Sequence, residues 1–163
     1  MEKRHVKART KKTYLILGGI TLVALCLRLF VCAQLASHPS VVAPASETDM
    51  ATYKRLALGI LEGDWPERFY YQPFYYAVFL PIIYGLFGST AWPVLATQSL
   101  LGAASVWLSG IVGIRLFGRM AGLTAAALLA AARFHIFYTP FLLIATLQSF
   151  WMILLVYLAM HHW

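Results

Sequence analysis

Four groups of residues in this sequence carry chemistry. Asp49 stands where a run of helical periodicity begins, and a carboxylate there can act as a base or hold a cation. With Ser46 three residues before it, the same spacing reads as a capping box, in which Asp49 only steadies the helix start. Arg28 lies in the outer third of a long apolar run, where a charge costs about 2–3 kcal/mol. It must snorkel or find a partner, either a carboxylate such as Asp49 or a lipid phosphate. Arg133 and His135 close an alanine-rich segment and offer two donors to a phosphate, or an interfacial anchor together with Phe134, Phe137 and Tyr138. The aromatic run from Phe69 to Tyr76, which includes Tyr71 and Tyr75, reads either as an aromatic belt or as a platform for a sugar or an isoprenoid chain.

Other chemistries find no residues. There is no glycine-rich phosphate loop, no nucleophile elbow and no Cys/His cluster at metal spacing. His161 and His162 are adjacent and do not converge on one ion from a helix. Cys26 and Cys32 lie six apart on one helix, face different ways, and act as small apolar residues.

The elements that position these residues follow from composition. The chain of 163 residues is 61% hydrophobic and 12% charged, against about 45–50% and about 25% in soluble domains. A chain this short cannot bury that excess in one core, so the surplus faces lipid. The fold expected is all-α: a polytopic transmembrane bundle of four to five apolar segments. Tyr14–Ala36 is long enough to span about 30 Å of hydrocarbon and lacks a small-residue cleavage site, so it reads as an uncleaved helix. Trp92–Phe117 and Pro140–Met160 read as further spans, and Met120–Arg133 as a short Ala-rich helix suited to close packing. Between the first two spans, residues 37–72 form an outer loop. Within it Thr48–Glu62 reads as an amphipathic helix lying on the membrane surface, with Met50, Tyr53, Ala57, Ile60 and Leu61 on one side.

Charge sets the expected topology. Six of the 13 basic residues fall before Thr13, making residues 1–13 a basic tail on the cytoplasmic side, attracted to anionic lipid. No nucleic-acid motif accompanies the net charge of +7. Five of the six acidic residues lie between Glu47 and Glu67, in the outer loop. Placing Arg115 and Arg119 in the cytoplasm gives four crossings and makes Pro73–Phe87 re-entrant; placing them outside gives five.

The order of these features resembles the N-terminal part of the GT-C membrane glycosyltransferases, which include the protein O-mannosyltransferases and aminoarabinose transferases. The resemblance rests on Arg28 ending the first helix, Asp49-Met-Ala-Thr-Tyr53, Gly63-Asp-Trp65, Tyr71-Gln-Pro-Phe-Tyr-Tyr76, Leu86-Phe-Gly88, Gln98 and Arg115-Leu-Phe-Gly118, and it covers residues 14–160. It implies transfer of a sugar from a polyprenyl-phosphate donor at the outer face of a bacterial inner membrane. Asp49 would be the catalytic carboxylate and the contact for a divalent metal, Mg or Mn. Arg28, Tyr53, Tyr71, Tyr75, Arg133 and His135 would face substrate. Two departures stand out: Gln72 precedes Pro73 where relatives carry a basic residue, and Ala145 occupies an acidic position in Leu142-Leu-Ile-Ala-Thr-Leu147. Whole enzymes of that type are several times longer, so residues 14–163 are expected to be an incomplete module, completed by a second chain or a further segment. A membrane protein that only packs against a partner or binds lipid is the alternative expectation.

Overall fold

The computed structural model describes residues 2–161, with side chains for 11–160. The side chains of Lys3, Arg4, Lys7 and Arg9, together with His162 and Trp163, lie outside the described residues. All regular structure among the described residues is helical. The order is α1 (Glu2–Leu35), α2 (Pro39–Val42), α3 (Asp49–Leu61), a π-helical turn (Tyr75–Phe79), α4 (Leu80–Phe87), α5 (Ala91–Phe117), α6 (Arg119–Ala131), α7 (Arg133–Phe137) and α8 (Ala145–His161).

Two helices are long and apolar enough to cross a membrane, over Lys11–Leu35 and Ala91–Phe117. The remaining apolar helices are shorter, and each has a local reason. The chain from Pro140 to Ile144 is turn and bend, with the Thr139 and Phe141 carbonyls turned to Gln98, so α8 starts at Ala145 rather than at Pro140. The segment expected from Met120 to Arg133 breaks at Ala132, whose φ of −65° and ψ of 99° end α6 before α7 begins. Pro73–Phe87 becomes a π turn joined to α4. At the other end of the chain, α1 runs without interruption through the boundary expected between tail and first span.

Small residues set the packing. A Cβ on Gly113 of α5 would stand 2.7 Å from the Gly122 Cα of α6, so the two backbones touch. Gly118, with φ +88°, makes the tight reversal between them in a region that side chains disfavour. Gly110 receives Leu17 of α1, and Gly102 receives Arg28. These contacts, with Cys32 against the Leu95 carbonyl, run α1 antiparallel to α5. Helix α8 follows α5 in the same direction: Gln98 bonds the carbonyls just before α8, and Arg115 lies 5.3 Å over the Tyr157 ring. Lys11, Lys12, Arg115 and Arg119 therefore share one end of the bundle, and α3 with its acids lies at the other.

Helix α3 differs from its expectation in what covers its apolar face. Met50, Tyr53 and Ala57 are buried against Tyr75, Tyr76, Leu80 and Ile83 of the π turn and α4, so that face meets protein instead of lipid. The lipid-compatible surface lies elsewhere, where Leu22, Val23, Phe30, Leu100, Phe117 and Met152 are exposed. Gly113→Leu would push α5 from α6, and thermal unfolding of the reconstituted protein should show a loss of about 1–3 kcal/mol, as for other overpacked contacts.

Candidate functional site

The outer site begins with a cap. Thr48 precedes α3 in extended conformation, and its Oγ1 accepts from the Ala51 amide at 3.4 Å. Thr48, not Ser46, thus caps the helix, and Asp49 falls at the first helical position with its carboxylate unspent on backbone. Asp49 Oδ1 accepts instead from the Tyr71 hydroxyl at 3.2 Å, on the exposed surface. The negative Asp49 beside it raises the Tyr71 pKa, so the phenol stays a donor at neutral pH. The Tyr53 pKa is raised too, first by burial and then by Asp49.

The segment after Tyr71 is strained and held. Gln72 has φ +64°, a left-handed value that costs a non-glycine residue about 1–3 kcal/mol. Its Oε1 accepts from the Tyr53 hydroxyl at 3.0 Å, and its carbonyl accepts from the Tyr75 amide at 3.0 Å. Tyr53 and Tyr75 pack edge to face, and Tyr53 stacks on Tyr76. Tyr53 and Tyr75 are core residues here, with no ring face open to a sugar. They position the rim; of the expected aromatic contacts, Tyr71 is the exposed one.

Gln98 joins this rim to the start of α8. Its side chain is fully buried. Oε1 accepts from the Tyr75 hydroxyl at 3.0 Å, and Nε2 donates to the Thr139 and Phe141 carbonyls at 2.7 and 2.9 Å. In the sequence Gln98 stands out only as one carboxamide within the apolar stretch Trp92–Phe117.

A second cluster lies deeper. Arg28 has no exposed surface and donates from Nη1 to the Ala24 carbonyl at 3.0 Å, while Nε and Nη2 have no partner. Those two N–H groups form one side of the guanidinium fork, the edge that grips a carboxylate or phosphate with two parallel bonds. Asp49 does not supply that partner, because it bonds Tyr71. His135 of α7 sits in the field of Arg28 with a buried, unpartnered Nδ1. Burial, and then Arg28, lower its pKa, so the neutral ring is favoured in the fold. That contribution is present above pH 6.5 and lost as pH falls. Arg133 does not join them; it is exposed and lies 5.3 Å over the Phe134 ring.

Beside His135 a cavity of about 130 Å³ is lined by Phe134, Tyr138, Ala145, Thr146 and Ser149. The Thr146 hydroxyl is buried and unpartnered. Ala145, at the expected acidic position, leaves that wall without charge. Among the described residues, no three His, Cys, Asp or Glu side chains converge as metal ligands. Asp49 would offer a divalent cation one carboxylate at the exposed rim. Comparison with protein-family models, with curated proteins and with solved structures finds no match to this chain.

Replacing Gln98 by Leu strands the buried Thr139 carbonyl and the Tyr75 hydroxyl, while the Phe141 carbonyl keeps the Leu143 amide, and unfolding measurements should show a loss of about 2 kcal/mol or more. Tyr71 should ionise above pH 10 in the 295 nm difference spectrum between the wild type and Tyr71→Phe, and Asp49→Asn should bring that transition down. The Asp49–Tyr71 bond is intact below pH 10 and is lost as pH rises through the raised value.

Proposed function

We propose that this chain is a membrane glycosyl-transfer module that uses a polyprenyl-phosphate sugar. The observation that carries the proposal is the state of Asp49. Thr48 has taken the capping role, so the carboxylate is free at an exposed rim and is oriented by Tyr71. A carboxylate so placed can accept the proton of an acceptor hydroxyl. The acceptor oxygen then attacks the anomeric carbon from the face opposite the phosphate. The bond from that carbon to the phosphate oxygen breaks, polyprenyl phosphate leaves with the electron pair, and the configuration inverts. Arg28 and His135 support the donor phosphate, since both hold unpartnered polar atoms that an oxyanion would satisfy. Arg133 faces donor headgroups from the rim.

The same reading makes the chain an integral protein of a bacterial inner membrane, with a cytoplasmic N-terminus and four crossings. Lys11, Lys12, Arg115 and Arg119 at one end support that orientation by the positive-inside rule. The short α6 and α8 would cross only with a thinned bilayer or flanking chain. A second reading, a non-catalytic protein that packs against a partner or binds lipid, is favoured by the uncharged Ala145 wall. A second chain completing the module belongs to both readings.

Membranes containing the chain, supplied with a polyprenyl-phosphate mannose and cell extract as the source of acceptor and partner, provide the test. Asp49→Asn should lower transfer by about 100-fold or more, the scale of a lost general base. Transfer indifferent to Asp49→Asn would remove the catalytic assignment. Absence of transfer together with retained, Arg28-dependent lipid-phosphate binding would favour the non-catalytic reading. Orientation has its own assay: Asp64→Cys should react with an impermeant thiol reagent in intact cells, and labelling only after lysis reverses the topology.

A further inference from the structure

A groove of about 380 Å³ opens between the aromatic run and α8. Gln72 and Gln148 put two carboxamides in its wall, and Phe74, Leu147, Trp151 and Met152 give the apolar remainder. Phe74 and Trp151 meet edge to face at 6.2 Å. No charged residue lines the groove. We infer that it binds the acceptor, and that the acceptor is a neutral, hydroxylated ring carried on an apolar chain.

Three features point to that chemistry. Among the described residues the Gln148 side chain has no hydrogen-bond partner, while its backbone amide donates to the Ile144 carbonyl. A carboxamide on a lipid-facing helix is costly unless a polar group meets it. Gln72 spends only its Oε1, on Tyr53, which leaves its amide hydrogens as donors. Carboxamides both donate and accept, so they match hydroxyl groups, whereas an oxyanion or an ammonium would find no opposite charge here. Next, aromatic rings beside amides suit the apolar faces of a sugar or cyclitol. Ile144, Leu147, Trp151 and Met152 flank Gln148 with apolar wall that a hydrocarbon chain can cover.

Position links the groove to Asp49. Gln72 directly follows Tyr71, whose hydroxyl bonds Asp49, so the strained residue separates the carboxylate from the groove. The acceptor role rests on the proposed transfer reaction; the binding chemistry does not.

The test uses the full chain in lipid nanodiscs with Trp65, Trp92, Trp107 and Trp163 changed to Phe, so that Trp151 alone reports. Octyl glucoside, octyl glucuronide and octanol are titrated below micelle formation. The glucoside should shift Trp151 emission at a concentration at least tenfold lower than the other two. Gln148→Leu should erase that preference and leave the octanol response in place. Equal responses to all three probes in the wild type would make the groove ordinary lipid-facing surface and overturn the inference. So would a glucoside preference that survives both Gln148→Leu and Gln148→Glu. Gln148-dependent glucoside binding in a protein whose transfer ignores Asp49→Asn would sink the transfer reaction and leave the groove's specificity standing.

Discussion

The Gln98 carboxamide is the interaction on which the outer half of the molecule depends. It sits fully buried on α5 and reaches three partners: the Tyr75 hydroxyl and the Thr139 and Phe141 carbonyls. The carbonyls belong to the turn before α8; the Phe141 carbonyl also accepts from the Leu143 amide, whereas the Thr139 carbonyl relies on Gln98. An unmet buried carbonyl costs about 1–3 kcal/mol, so this amide holds the turn that precedes α8. The hydroxyl fixes Tyr75, and Tyr75 packs on Tyr53, which holds the strained Gln72. Rim, groove and α8 are thus referenced to one side chain on α5.

Below that network the bundle closes on glycines. Gly102, Gly110 and Gly113 repeat along α5, and each receives something large or close: Arg28, Leu17 and the α6 backbone. Close backbone approach and dispersion at these glycines hold α5 against α1 and α6. The same closeness explains how a guanidinium can be fully covered. Gly102 lets α5 lie against Arg28 where any side chain would collide with Nε at 2.5 Å. The fold therefore covers a guanidinium completely while two of its nitrogens, Nε and Nη2, find no partner in the protein.

Asp49 illustrates how a one-residue shift in a helix start changes a chemical role. Had Ser46 capped the helix, Asp49 would lie at its third position, bonded back to the chain. Thr48 begins the helix two residues later, and Asp49 turns to Tyr71. The carboxylate then belongs to a contact between α3 and the aromatic run, two pieces brought together only by folding.

Much of this was legible in the residues. Apolar excess and periodicity were enough to expect an all-helical fold with two helices long and apolar enough to cross a membrane, because composition limits how much surface any fold can bury. Helix α3 was readable from its 3.6-residue periodicity to within a residue at either end. Arg28 was legible as an anomaly, since a charge in an apolar run carries its cost wherever the chain goes. Only the tertiary structure decided what each polar group meets. It gave Arg28 no carboxylate, sent Arg133 to the surface while His135 turned inward, made Tyr53 and Tyr75 core residues, and turned α3 toward protein. It also held the turn before α8, through bonds from Gln98 across more than forty residues of chain. The physical reason is that periodicity and composition are local and fix which face of an element is apolar, whereas the partner for a buried donor is chosen by contacts between segments far apart in sequence.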